Sequence, residues 1–98
     1  MSSMELLRAA FSDKAWEDCV RIGREILPSL QGRDHDTASF LIAKGLLELS
    51  PPEVDEAIAI YLGLLENDPG PKFTSRITKG LGFAFGERKT GSRAANLK

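Results

Sequence analysis

Ninety-eight residues, 42% hydrophobic and 28% charged with a net charge of −1, suit one small folded domain and argue against a disordered chain. No apolar run approaches the ~20 residues of a membrane span, and the start Met1-Ser2-Ser3-Met4-Glu5 lacks the basic and apolar regions of a signal peptide. The single cysteine forms no internal disulfide, so the expected home is a reducing, cytoplasmic one.

Ser2-x-x-Glu5 has the capping-box spacing, a hydroxyl for one free backbone N–H and a carboxylate for another, and predicts a first helix over residues 3–11. Ser12-Asp13 offers a cap for a second helix, whose apolar stripe is Ala15, Trp16, Cys19, Val20, Ile22, Ile26 and Leu30. Pro28 should end or bend that helix, because proline lacks the N–H donor and clashes with the preceding turn. Gln31 to Asp36 is polar throughout and predicts a loop. A third helix over residues 37–49 carries Phe40, Ile42, Ala43, Leu46, Leu47 and Leu49. Ser50-Pro51-Pro52-Glu53 is the strongest boundary: Ser50 suits the cap, Pro51 the first helical position, and Glu53 closes the box. The fourth helix holds Val54, Ala57, Ile58, Tyr61, Leu62, Leu64 and Leu65, and Asp68-Pro69-Gly70-Pro71 stops it. A fifth starts after Pro71 with Phe73, Ile77, Leu81, Ala84 and Phe85. Past Gly86 the sequence is polar and punctuated by glycine. Residues 1–86 therefore read as the helical domain and residues 87–98 as a polar, basic, mobile tail.

Two stretches are near-copies: Ile42-Ala43-Lys44-Gly45-Leu46 and Ile77-Thr78-Lys79-Gly80-Leu81, 35 residues apart. Leu6-Leu7-Arg8-Ala9-Ala10 is a weaker third copy, 36 residues before the second. A self-match at such a period signals stacked supersecondary units.

The fourth helix and its exit resemble the second helix of a tetratricopeptide repeat, whose pattern is a small residue, an aromatic four later and a proline eight after that. Ala57, Tyr61 and Pro69 stand at those spacings. The third helix is similar to the first helix of such a unit, with Ile42-Ala43 at its leucine-glycine step and Leu46 at its tyrosine; Ser39 stands where the family has tryptophan. The first two helices match more loosely, with Cys19 as the small residue and Gly23 at the aromatic position. The step from Cys19 to Ala57 is 38 residues, against about 34 in the family. The resemblance covers residues 3–85. It implies an all-α fold of about five helices: a right-handed stack of antiparallel helical hairpins, two repeats plus a C-terminal capping helix. Such arrays usually need three or more units to bury a continuous core, so a partner that completes this one is expected.

The resemblance also implies a function. In these arrays the first helix of each unit lines a concave groove, and the aligned copies put Arg8, Lys44 and Lys79 at one equivalent position there. Phe40 and Leu47 project to the same face. Three cations there suit an acidic segment or a C-terminal carboxylate, because charge-assisted hydrogen bonds are roughly twice as strong as neutral ones, and the two apolar side chains could receive apolar partners. The expected role is a non-enzymatic adaptor that binds a partner peptide or helix in the groove.

Two alternatives stay open: a small secretion or assembly chaperone holding an amphipathic helix, and nucleic-acid binding by the basic C-terminal end. Residues 72–98 carry net +6 against −7 for residues 1–71, a split that serves either self-attraction or an acidic partner. A homodimer through the fifth helix is a further option. Lys79-Gly80-Leu81-Gly82-Phe83-Ala84-Phe85 resembles the first ribonucleoprotein motif of RNA-recognition domains, but its twin at Lys44 makes it helix. Cys19 sits in an apolar stripe and reads as core. His35, between Asp34 and Asp36, reads as a capping residue. No metal-ligand spacing, phosphate-cradling loop or triad order is present, so no cofactor is expected and the chain does not read as an enzyme.

Overall fold

The computed structural model describes residues 2–67 and 69–96, with side chains through Glu87. Its described residues form five α-helices and one short 3-10 turn, with no strand: α1 (Ser3–Ser12), α2 (Trp16–Ile26), the 3-10 turn Leu27–Ser29, α3 (Gly32–Glu48), α4 (Val54–Glu66) and α5 (Pro71–Asn96). The fold is all-α, and no helix among the described residues is long and apolar enough to cross a membrane.

The helix starts show where local chemistry decides and where it does not. Ser2 caps α1 as its spacing predicts, its hydroxyl accepting from the Glu5 N–H at 3.2 Å and donating to the Glu5 carboxylate at 3.2 Å. Ser12-Asp13 does not cap α2. Ser12 is the last residue of α1, and the Asp13 N–H is spent on the Ala9 carbonyl at 2.9 Å, so α2 starts at Trp16 without a side-chain cap. Pro28 ends α2 as expected, leaving only the 3-10 turn.

The expected loop at Gln31–Asp36 is instead the first turn of α3. Gly32 takes a φ of +60°, which glycine adopts without strain, and Asp34 sits favourably in the positive end of the helix dipole. Pro51 is not the first residue of α4 either. Pro52 disfavours the helical region for the residue before it, so the two prolines stay in the turn and α4 begins at Val54. That turn folds back on α3, with the Glu53 N–H donating to the Leu46 carbonyl at 2.9 Å.

Pro71 opens α5, where its missing N–H costs nothing, and Gly70 supplies the positive φ of +97° just before it. The helix continues to Asn96, through most of the segment expected as a tail; Leu97 and Lys98 lie outside the described residues. Glycine inside a helix costs about 1 kcal/mol but leaves every hydrogen bond in place, and no proline follows Pro71 to stop the chain. Lys79–Phe85 is accordingly mid-helix rather than strand.

Successive helices pack on one another, and α3 touches all four others. One buried cluster joins α1, α2 and α3 through Leu7, Ala10, Cys19, Ala38 and Leu41. A larger one runs from Val20 through Ile42, Leu46, Ile58, Tyr61 and Leu64 to Ile77 and Leu81. The repeated positions are used alike in α3 and α5: Ile42 and Ile77 are buried, as are Leu46 and Leu81. In α1 the equivalence breaks at Leu6, which is 46% exposed.

Glycine in the aromatic position of α2 has a packing reason. A Cβ at Gly23 would overlap the Ile42 side chain, so Ile42 fills the space an aromatic would take. Between α4 and α5 the sizes are exchanged: Tyr61 is large and Gly80 opposite it is small.

Candidate functional site

Along α3, Arg33, Thr37, Phe40, Lys44 and Leu47 recur every three or four residues and so share one face. On α5 the same spacing groups Phe73, Arg76, Lys79, Gly80 and Phe83, with Lys72 beside them. Together with Arg8, Phe11 and Ser12 of α1 and Pro69-Gly70-Pro71, they line a groove of about 1260 Å³. Helix α2 contributes nothing to this groove, and α4 contributes Tyr61 alone. All five residues singled out from the sequence, Arg8, Phe40, Lys44, Leu47 and Lys79, line it. They are not equally available. Arg8 and Lys79 are exposed, Phe40 and Lys44 half-buried, and Leu47 is buried and belongs to the floor.

The floor is aromatic. Phe73 of α5 meets Phe40 of α3 edge-on at 5.4 Å, and Phe40 meets Tyr61 of α4 at 5.9 Å. These tilted and edge contacts put ring hydrogens against ring faces, the arrangement that aromatic quadrupoles favour. They tie α5 to α3, which otherwise touch far less than either touches α4.

The rim is cationic. Among the described residues, Arg8, Arg33, Lys44, Lys72, Arg76 and Lys79 face a single carboxylate, Glu48. None of these six cations has an ion-pair partner among the described residues; Lys44 has only the Phe40 ring, 6.0 Å from its Nζ. The cations of α2 differ. Arg21 pairs with Asp18 at 3.4 Å and Glu25 at 3.5 Å, and Arg24 grips both oxygens of Glu56 on α4 at 2.7 Å. Such half-exposed pairs stabilise little, but they leave α2 locally neutralised. In the groove the like charges reinforce one another and raise the local concentration of anions.

Two buried groups complete the inventory. Tyr61 is 0% exposed, its pKa pushed up to about 12 by burial, and its hydroxyl has no hydrogen-bond partner among the described residues. The Cys19 thiol is likewise fully buried, pushed up to about 11 by desolvation, and donates weakly to the Leu41 carbonyl at 3.7 Å. It is a core thiol without thiolate character. His35 lies in the first turn of α3 with Nδ1 3.6 Å from Asp36. Among the described residues no three His, Cys, Asp or Glu side chains gather as a metal site.

Sequence reasoning missed Phe11, Arg33, Thr37, Tyr61, Lys72, Phe73, Arg76 and Phe83 as groove residues. The signal existed: Arg33 and Thr37 continue the Phe40–Lys44–Leu47 stripe once residues 32–36 are helix. Phe73, Arg76 and Phe83 likewise flank Lys79 at helical spacing. No protein-family model, curated protein or solved structure matches this chain.

Proposed function

We propose that this chain is a non-enzymatic interaction module whose groove binds an acidic, amphipathic helical segment of another protein. The observation that carries this reading is the ring of six cations without described carboxylate partners around an aromatic floor. The apolar floor supplies the driving force of burial, and the rim selects negative charge and steers its approach. The α3 stripe from Arg33 to Glu48 is about 22 Å long at ~1.5 Å per residue, the length of a four-turn helix. The helix order, with α3 touching both α1 and α5, supports a tetratricopeptide-like stack of hairpins. The free, buried Cys19 suits a reducing, cytoplasmic setting.

A synthetic sixteen-residue helical peptide, with an apolar stripe flanked by glutamates, tests the reading. Its affinity should fall steeply with rising salt and about tenfold more in the Lys44→Ala/Lys79→Ala double variant. Unchanged affinity in that variant would sink it.

One observation favours a second reading, a chaperone that holds a partner helix by apolar contact. Phe83, which lines the groove, is 52% exposed, and Phe85 and Leu62 are 47% and 46% exposed. Binding that ignores salt and both lysines would select it. Displacement of the peptide by a single-stranded oligonucleotide would point to nucleic acid instead.

A further inference from the structure

Tyr61 holds the one side-chain polar atom, among the described residues, that is buried with no hydrogen-bond partner. Its surroundings are defined on two sides. The Phe40 ring centroid is 5.9 Å away, and a Cβ placed on Gly80 would come within 2.6 Å of both Cζ and the hydroxyl oxygen. Tyr61, Phe40 and Gly80 all line the groove. Lys79 precedes Gly80 in the chain, and the Lys44 Nζ stands 6.0 Å from the Phe40 ring. Burial keeps the phenol protonated, so at neutral pH the hydroxyl is a donor.

A buried donor with no acceptor is costly, and satisfied buried polar groups are the rule in folded proteins. Here the unmet donor and the cations without described carboxylate partners line the same groove, and one ligand chemistry meets both: an acceptor oxygen bearing negative charge. The hydroxyl packs against the α5 backbone at Gly80, in the place a side chain there would take, and the Phe40 ring stands beside the Tyr61 ring. We propose that Tyr61 is a specificity-determining residue of the groove, donating its hydroxyl to an Asp or Glu carboxylate of the bound partner segment between Phe40 and Gly80. This rests on the groove being the binding site for an acidic segment. The hydroxyl is covered in the free protein, so the carboxylate reaches it by displacing the half-buried Phe40 ring. Lys44 and Lys79 neutralise the carboxylate as it enters.

Calorimetric titration of the full chain tests the assignment with the sixteen-residue glutamate-flanked peptide and a set in which each Glu in turn becomes Gln. Tyr61→Phe should keep its helicity and a Tm no lower than that of the unaltered protein, since no internal hydrogen bond is lost. It should bind the parent peptide about tenfold more weakly. One Glu→Gln peptide should lose more affinity on the unaltered protein than on Tyr61→Phe, the difference being its coupling to the hydroxyl. Equal binding by Tyr61→Phe, or a scan on the unaltered protein in which no Glu stands out, overturns the role of the hydroxyl while leaving the groove reading intact. Absence of peptide binding to the unaltered protein overturns both.

Discussion

Replacing Leu46 by Ala should lower the stability of the fold by about 2–5 kcal/mol. Leu46 is 0% exposed on the one helix that, among the described residues, touches every other one, within the cluster that joins α2, α3, α4 and α5. Deleting its three outer carbons forfeits their transfer free energy and leaves a cavity that neighbours on three helices cannot all relax to fill. A domain of this size has about 5–15 kcal/mol in total. Each kcal/mol moves Tm by roughly 4–8 °C, so thermal unfolding followed by circular dichroism should show a drop on the order of 10 °C or more. A loss under about 1 kcal/mol would mean that α3 is not the central helix.

Gly23→Ala should destabilise, against the usual sign for glycine in a helix. Alanine is normally favoured there by about 1 kcal/mol. At Gly23 the added Cβ would overlap Ile42, 2% exposed, with Leu7 Cδ1 3.6 Å away. Both neighbours are locked in the core, so overpacking of about 1–3 kcal/mol outweighs the propensity gain. Gly63 on α4 is the internal control, since a Cβ there meets nothing within 4 Å and Gly63→Ala should stabilise by about 1 kcal/mol. Urea midpoints of the two variants moving in opposite directions is the expected result. Both rising would show that α2 and α3 approach less closely than Gly23 and Ile42 indicate.

The buried face of this protein was written in its periodicity. The copy at Ile42–Leu46 and Ile77–Leu81 marks positions that are buried in both helices, because burial demands apolar side chains at fixed spacing. The breaks at Pro28 and at Pro69-Gly70-Pro71 were equally legible, since proline removes a donor whatever its surroundings.

Residues 32–36 read as loop, and 87–96 as a tail where α5 in fact continues, because polar turns at a helix end carry no apolar stripe and look like loop unless a proline forbids helix. The caps at Ser12-Asp13 and Ser50 failed because a capping side chain has competing uses. Ser12 closes α1, and Pro52 holds Pro51 in the turn.

Of the groove, the repeat identified the equivalent cations Arg8, Lys44 and Lys79. The contributions of Tyr61 and Gly80 depend on how closely α4 and α5 approach, which no local pattern encodes.

The central claim is that α1, α3 and α5 present a groove that takes an acidic protein segment. Backbone amide chemical shifts, followed by NMR while the glutamate-flanked peptide is added, test it most directly. Shifts at Arg8, Arg33, Phe40, Lys44, Arg76 and Lys79, with Arg21, Arg24 and Glu56 on α2 and α4 left unmoved, are the predicted result. Shifts confined to α2 and α4, or none at saturating peptide, would contradict it.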